Sequence, residues 1–219
     1  MTSAVKRPKA ILFDWDNTLV DNWLAITDAL NVTLVAMGQE PWTKEQALSR
    51  VRKSLRDSFP EMFGERWEEA AKIFYARFEE AHLEMLRPKE GAGEMLAALK
   101  EQGFYLAVVS NKTGGYLRKE CAHLNWSGYF SQVVGATDAK QDKPDPEPLR
   151  HALDGSGFSL GDDVWYVGDA DIDLECAHNG ACVPVLIRDQ APEQGEFDTF
   201  QPSIYFKSCL DLLSLVRTL

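Results

Sequence analysis

The chain has 219 residues, 45% of them hydrophobic and 26% charged, a composition typical of a soluble globular enzyme with one sizeable core and a smaller second unit. The formal net charge of −11 argues against non-specific binding to nucleic acid or to an anionic membrane, because both need a basic surface. No apolar run is long enough for a membrane span, and the N-terminal residues contain no signal-peptide core, so we expect a cytoplasmic protein.

An acidic cluster follows the first apolar stretch of the chain. The sequence ILFDWDNTLVDN, residues 11–22, begins as a buried strand and then carries three carboxylates, at Asp14, Asp16 and Asp21. Asp and Asn are common where strands end and turns begin, so one interpretation is a surface turn. The other is a magnesium-dependent site in which one Asp is the nucleophile. The rest of the sequence decides between the two.

The segment after this cluster predicts an inserted helical domain. It contains two long runs with helical periodicity and a capping-box signature at Thr43 to Gln46, but no convincing strand. A crossover between parallel strands needs only about a dozen residues, whereas 96 positions separate Asp14 from Ser110 (110 − 14). The predicted domains are an α/β core at residues 1–20 and 89–219 and a helical cap at residues 21–88.

From residue 89 onward, helical patterns alternate with short apolar runs that predict strands. These runs lie at residues 104–110, 132–137, 163–169 and 182–187. Near-continuous apolar strands between helices are typical of a parallel sheet that is covered on both faces. The predicted fold class is therefore α/β, a doubly wound, Rossmann-like parallel sheet with an inserted α-helical cap. The polar stretch 188–203 has no periodicity and predicts a loop.

Polar residues recur where the predicted strands end, which is the edge at which open α/β sheets bind ligands. They are Ser110 and Asn111, Lys143 in DKPDPEPL, and Asp169 and Asp173 in GDADID. In the second stretch, Asp145 is predicted to be a helix N-cap and Pro146 the first helical residue. Each signal alone is weak, since such residues are also common in turns. Their ordered combination with DxDxT indicates one active site.

Four motifs in this order resemble those of the haloacid dehalogenase superfamily, in the branch with a helical cap inserted after the first motif. The motifs are DWDNT at 14–18, SN at 110–111, KPDP at 143–146 and GDADID at 168–173. The resemblance implies that Asp14 is the nucleophile, Asp16 the acid/base, Ser110 and Lys143 the phosphate binders, and Asp169 a magnesium ligand that Asp173 supports. The full set of expected Mg²⁺ ligands is Asp14, Asp16, Asp169 and Asp173, and Thr18 and Asn111 are expected to help bind substrate. Asn17 replaces the commoner glycine, which is tolerable because Asn accepts left-handed turn geometry.

The chemistry of these residues predicts a magnesium-dependent phosphatase that acts on a small phosphate monoester. A carboxylate at Asp14 can attack phosphorus to form an aspartyl phosphate, which water later hydrolyses. Mg²⁺, Lys143 and Ser110 would compensate the charge of the phosphate dianion. Asp16, two residues on along an extended chain, would protonate the leaving oxygen and deprotonate the water. The namesake dehalogenases lack this second Asp, so phosphoryl transfer is favoured over C–halogen cleavage.

The cap contains one basic segment, RVRKSLR, in an otherwise acidic chain. On a helix, Arg52, Lys53 and Arg56 would fall within a sector of about 100°. They either form a solvated basic face or bind a second anionic group of the substrate, a carboxylate or a phosphate. The SNK and KPDPEPL stretches resemble phosphoglycolate phosphatases most, so the expected partner is a small phosphorylated metabolite such as phosphoglycolate.

Three other functions share parts of this pattern. Capped relatives include a C–P bond hydrolase that uses a cap lysine, for which Lys53 is the candidate, and a sugar-phosphate mutase. A receiver-type binding switch also combines an Asp nucleophile, a hydroxyl residue, a Lys and magnesium, but has no organic substrate. The nucleophile on the first strand, the DxD pair and the large insertion favour an enzyme. We expect a monomer or homodimer with no nucleic-acid or membrane partner.

Overall fold

The computed structural model describes residues 6–51 and 55–218. The chain forms two compact units. The core unit comprises Met1–Val20 and Pro88–Leu219, and the helical unit comprises Asp21–Arg87. The helical unit is thus an insertion into the sequence of the core unit. Its role as a substrate cap stays a prediction.

Within residues 6–51 and 55–218 the chain forms eight strands. They are β1 (Ala10–Phe13), β2 (Val20–Asp21), β3 (Arg87–Pro88), β4 (Tyr105–Thr113), β5 (Gln132–Ala136), β6 (Val164–Gly168), β7 (Val183–Ile187) and β8 (Ile204–Phe206). Six of them form one parallel sheet in the order β5-β4-β1-β6-β7-β8, and β2 pairs with β3 in a separate two-stranded sheet. Because β1 lies between β4 and β6, the chain winds away from β1 in both directions, as a doubly wound sheet requires.

The helical unit contains four α-helices in the part that the structure describes. They are α1 (Trp23–Ala36), α2 (Lys44–Arg50), α3 (Leu55–Phe63) and α4 (Trp67–Met85). The predicted capping box is confirmed, because the Thr43 hydroxyl accepts the Gln46 N–H and the Gln46 side chain accepts the Thr43 N–H. Buried aromatic rings, including the stacked pairs Phe74–Phe78 and Phe78–His82, form much of its core. Asp21 Oδ1 accepts the Trp23 N–H at 3.1 Å at the start of α1.

Five helices complete the core unit in its described residues. They are α5 (Ala92–Glu101), α6 (Gly114–His123), α7 (Glu147–Ala152), α8 (Asp171–Asn179) and α9 (Cys209–Val216). On one face of the sheet, Leu12, Val109 and Tyr166 pack with residues of α7 and α8. Side chains alternate along a strand, so Ile11 and Phe13 of β1 point to the opposite face, and both are fully buried as well. Both faces of the sheet are therefore covered, which confirms the predicted fold class.

Three local predictions differ from the structure. The two-residue strands β2 and β3, at the two ends of the predicted helical segment, were not predicted. The last strand, β8, was not predicted, since three residues are too few to carry a periodicity signal, and it adds to the sheet edge beside β7. Helix α7 begins one residue later than predicted, with Pro146 as N-cap. Asp145 precedes the cap, and its Oδ1 accepts the Glu147 N–H at 2.8 Å. The carboxylate thus still satisfies a backbone donor of the first helical turn.

Among the described residues, none of the helices combines the length and the apolar character that crossing a bilayer would require.

We expect Gly135→Ala to destabilise the core unit by about 1–3 kcal/mol, because overpacking forces the backbone to shift. A Cβ at Gly135 would lie 2.4 Å from the Gly114 Cα and 2.6 Å from the Lys112 carbonyl oxygen. Gly115→Ala is the matched control, since nothing lies within 4 Å of its Cβ and alanine favours a helix over glycine by about 0.5–1 kcal/mol. Urea unfolding measures both variants, and a Gly135→Ala protein as stable as Gly115→Ala would contradict this packing.

Candidate active site

Three aspartates converge at the carboxyl edge of the sheet. Asp14 follows β1, Asp169 follows the neighbouring β6, and Asp173 lies in the first turn of α8. One carboxylate oxygen from each lies within 4.8 Å of the others. The Asp14 N–H donates to the Val167 carbonyl at 2.8 Å, which ties the end of β1 to β6. The pairing of these two strands therefore brings together carboxylates that are 155 positions apart in sequence (169 − 14).

Lys143 supplies the positive charge that these carboxylates face. Its Nζ donates to Asp14 Oδ1 and to Asp173 Oδ1, both at 2.7 Å, and all three side chains are buried. Asn111 fixes the lysine backbone: its Nδ2 donates to the Lys143 carbonyl at 3.1 Å, and its Oδ1 accepts the Lys143 N–H at 3.0 Å. The predicted substrate-binding residue Asn111 is thus engaged in holding Lys143, and direct contact with substrate stays a prediction for it.

The pKa values of Asp14, Asp169 and Lys143 are all shifted from their usual ranges. Burial raises the pKa of Asp14 to about 7, while the Lys143 ammonium opposes the increase and the Asp173 carboxylate adds to it. Burial likewise raises the pKa of Asp169 well above its usual range, with Asp173 and Asp14 contributing. For Lys143, burial alone would lower the pKa, but the two carboxylates outweigh it and raise the pKa, so the ammonium keeps its charge. A cation that binds here would displace protons from the carboxylates.

The donor set fits a hard divalent cation. The three clustered side chains all offer carboxylate oxygens, which Mg²⁺ prefers, and it needs only one or two of them beside water. Close approach of Asp173 requires the glycine at the end of β6, because a Cβ at Gly168 would lie 2.3 Å from the Asp173 Cβ. The Thr18 hydroxyl is 3.5 Å from Asp14 Oδ2 and 3.3 Å from Asp169 Oδ1, within reach of either oxygen.

Asp16, in the turn after β1, and Ser110, in the neighbouring strand β4, both contact Lys112. The Asp16 Oδ1 accepts a hydrogen bond from Lys112 Nζ at 2.7 Å. Asp16 is not one of the three clustered aspartates, so its expected role as a metal ligand stays a prediction. Asn17 has φ of 64°, the left-handed geometry expected for it, and the turn is closed by a bridge between Asp16 and Val20. Ser110 is buried, and its Oγ accepts the Lys112 N–H at 3.2 Å, which leaves the hydroxyl proton able to donate.

The basic segment of the helical unit lies mostly outside the described residues. Arg52 and Lys53 fall in the gap, and for Arg56 only the backbone, in α3, is described. The neighbouring Arg50 places its guanidinium 4.6 Å from the centre of the Trp42 ring. The expectation that Arg52, Lys53 and Arg56 bind an anionic group stays a prediction.

Sequence reasoning missed a second buried cation, Lys112, and its partner Glu120. Lys112 Nζ donates to both Asp16 Oδ1 and Glu120 Oε2 at 2.7 Å. Burial alone would lower the pKa of Lys112, but Asp16 and Glu120 outweigh it and raise the pKa. The available signal was the position of Lys112 directly after the SN motif. Glu120 gave no signal, because a glutamate in an amphipathic helix is typical of the solvated face.

Comparison with known families agrees with this geometry. The family model described as haloacid dehalogenase-like hydrolase matches residues 11–186, which include β4, β6, all of β1 except its first residue, and all four motifs. The chain belongs to this family.

The relatives of this hydrolase point to phosphate chemistry. A phosphoglycolate phosphatase from Aquifex aeolicus is 33% identical over 168 residues, covering 76% of this chain and 78% of its own. The pyrophosphatase PpaX from Halalkalibacterium halodurans is 28% identical over 207 residues, covering 94% and 95%. Among solved structures, a haloacid dehalogenase-like family hydrolase from Streptococcus pneumoniae aligns with a TM-score of 0.83 at 19% identity, covering 95% of this chain and 98% of its own. That likeness shows the shared fold.

We expect Mg²⁺ to raise the Tm, because binding to the folded carboxylate cluster lowers the free energy of the native state alone. At roughly 100-fold excess over Kd, the gain is about 2.7 kcal/mol, or about 5–10 °C for a chain of this size. Scanning calorimetry with and without Mg²⁺ measures the shift for each protein against its own metal-free Tm. Asp169→Asn should lose most of the shift, whereas Asp171→Asn, at an exposed aspartate in the first turn of α8, should keep it. Equal shifts in both variants would contradict the assignment.

Proposed function

We propose that this hydrolase is a magnesium-dependent phosphatase that cleaves a small phosphate monoester through an aspartyl phosphate on Asp14. One observation carries the proposal: a buried carboxylate at the end of β1 is held by a lysine ammonium, Lys143, beside a second acidic residue, Asp169, that can hold a metal. A further carboxylate, Asp16, follows two residues later. A nucleophile, a fixed positive charge and a separate acid/base are the groups that this reaction needs.

Asp14 performs the first displacement. Its deprotonated carboxylate attacks phosphorus, the phosphorus–oxygen bond to the leaving group breaks, and the leaving oxygen takes a proton from Asp16. Asp16 then accepts a proton from water as that water attacks the phosphorus of the aspartyl phosphate. Inorganic phosphate leaves, and Asp14 is regenerated as a carboxylate while Asp16 is protonated again.

The other site residues orient and stabilise the charges in this sequence. Lys143, which keeps its proton, holds Asp14 Oδ1 and faces the phosphate charge as it develops. The Ser110 hydroxyl donates to a phosphate oxygen. Asp14 and Asp169, with Asp173 beside them, would hold Mg²⁺, which would compensate the negative charge of the phosphate dianion.

The substrate class that we propose is a small phosphate compound with a second anionic group. Phosphoglycolate is the first candidate, supported by the relatives that carry this activity in their names. Inorganic pyrophosphate is the second, because the pyrophosphatase PpaX relatives align over 94% and 96% of this chain. A basic group in the helical unit would serve either substrate. A C–P bond hydrolase, a sugar-phosphate mutase and a receiver-type switch are not favoured by the relatives. The cytoplasmic location and the monomeric or homodimeric state stay predictions from the sequence.

Asp14→Asn should leave a folded protein with no measurable turnover of any phosphate ester, because an amide cannot act as the carboxylate nucleophile. Asp16→Asn keeps the nucleophile but removes the acid/base, so its kcat/KM on an alkyl phosphate should fall by about 10²–10⁴. Steady-state phosphate release measures both, and circular dichroism checks the fold. Substantial turnover by Asp14→Asn would refute the proposed mechanism.

A substrate panel tests the proposed second anionic group. We expect phosphoglycolate or pyrophosphate to exceed p-nitrophenyl phosphate in kcat/KM, and the double variant Arg52→Ala with Arg56→Ala to reduce this preference about 10- to 100-fold, the value of one charge-assisted hydrogen bond. Arg50→Ala is the matched control, since its guanidinium lies over Trp42. Pyrophosphate as the best substrate would select the second candidate. A nucleotide or a neutral sugar phosphate as the best substrate would refute the proposed class.

A further inference from the structure

A buried chain of polar contacts ends on the carboxylate of Asp16. The Trp15 Nε1–H donates to Glu120 Oε2 at 2.7 Å, and Lys112 Nζ donates to the same Glu120 oxygen at 2.7 Å. The same Nζ donates to Asp16 Oδ1 at 2.7 Å. The four residues come from three parts of the core unit: the turn after β1, the end of β4 and the middle of α6. These hydrogen bonds attach the turn that contains Asp16 to β4 and α6.

Stability alone does not account for this arrangement. The side chains of Lys112 and Glu120 are 6% and 0% exposed, so both charges are removed almost completely from water. The cost of removing charges from water often exceeds the attraction between them, and apolar residues of similar volume are frequently as stabilising. A buried Lys–Glu pair that also contacts a reacting side chain therefore points to a role at that side chain.

The contact made by Lys112 differs from the one made by Lys143. Lys143 lies between Asp14 and Asp173, within the carboxylate cluster. Lys112 lies between Asp16 and Glu120, and Glu120 is held in turn by Trp15, which is fully buried and packs edge-on against Trp126. Because Glu120 and Trp15 are fixed by packing, the lysine ammonium has a defined position from which to hold one oxygen of Asp16.

We propose that Lys112 is a positioning residue that holds Asp16 in the orientation needed for proton transfer, and that Glu120, anchored by Trp15, keeps Lys112 in place. This inference rests on the proposed phosphatase function, in which Asp16 protonates the leaving oxygen. Lys112 touches neither the phosphate nor the reacting oxygen in this proposal. It acts only through the direction in which the Asp16 carboxylate points.

The first test compares leaving groups with and without Lys112. An alkyl phosphate needs a proton on its leaving oxygen, whereas the nitrophenolate of p-nitrophenyl phosphate leaves without one. The comparison uses kcat/KM, which reports the steps up to release of the leaving group. For Lys112→Met, we expect kcat/KM on the alkyl ester to fall by about 10²-fold, within the range for lost general acid catalysis, and the aryl ester to change by only a few-fold. Lys112→Arg, which keeps a cation, should recover part of the loss.

Two further variants distinguish the positioning of Asp16 by Lys112 from a general effect on the structure. Lys119→Met removes an exposed lysine from the same helix as Glu120 and should leave both substrates unchanged. If Lys112→Met folds poorly because Glu120 is left buried without its lysine, the double variant Lys112→Met with Glu120→Gln removes both charges. It should show the same selective loss on the alkyl ester. Equal losses on both esters in a folded variant would overturn the proposal.

A double-mutant cycle with Asp16→Asn tests whether Lys112 acts through Asp16. In the Asp16→Asn background, Lys112→Met should have no further effect on the ratio of alkyl to aryl kcat/KM, because no carboxylic acid remains to be oriented. A further loss in that ratio of the size seen in the wild-type background would overturn the proposal.

A crystal structure of Lys112→Met supplies a readout that does not depend on activity. The proposal expects the Asp16 side chain to leave its wild-type rotamer or to occupy several, while Asp14 and Lys143 stay in place. If the wild-type protein hydrolyses neither ester, the crystal structure alone decides the positioning claim. The proposed function fails as well if pyrophosphate is also not hydrolysed. An Asp16 carboxylate in the wild-type orientation without Lys112 would overturn it, and a displaced carboxylate would support it.

Discussion

The ammonium group of Lys143 is the interaction on which the rest of the site depends. The carboxylates of Asp14, after β1, and Asp173, in α8, approach each other at the edge of the sheet, where burial and the Asp173 carboxylate raise the pKa of Asp14. A charge held 2.7 Å from both Asp14 and Asp173 makes that approach possible. The surrounding structure serves to hold this lysine: Asn111 brackets its backbone from β4, and the glycine at 168 lets Asp173 come close enough to meet it.

A second lysine gives the neighbouring carboxylate a different environment. Asp14 lies within the carboxylate cluster, beside Asp169, with which it can share a metal ion. Asp16 lies in the turn after β1 and contacts Lys112, which Glu120 holds. Two carboxylates two residues apart can perform different chemical steps only if their surroundings differ. The buried Lys112–Glu120 pair gives Asp16 its separate surroundings, and the left-handed turn at Asn17 follows Asp16 directly.

Membership of the haloacid dehalogenase-like hydrolases and the geometry of the sheet edge both support the proposed reacting centre, but neither identifies the leaving group of the substrate. The relatives include enzymes named for phosphoglycolate and for pyrophosphate, two substrates that share a phosphate and a second anionic group. In the proposed mechanism, the core unit supplies the groups that act on phosphorus for either substrate. Discrimination between such substrates must come from residues that contact the rest of the molecule, and the basic segment around Arg52 and Arg56 is the candidate in the sequence.

The sequence by itself determined the fold class and the residues at the sheet edge. Apolar strands that alternate with helices allow few topologies, and Asp14, Ser110, Lys143 and Asp169 each follow a strand or precede a helix, where a linear pattern can be read. Short elements such as β8 carry too little pattern to be predicted. Only the tertiary structure decided that Lys112 and Glu120 are buried together beside Asp16. Burial of a charged residue on an amphipathic helix depends on what packs against it, and here the indole of Trp15, 105 positions away, does so.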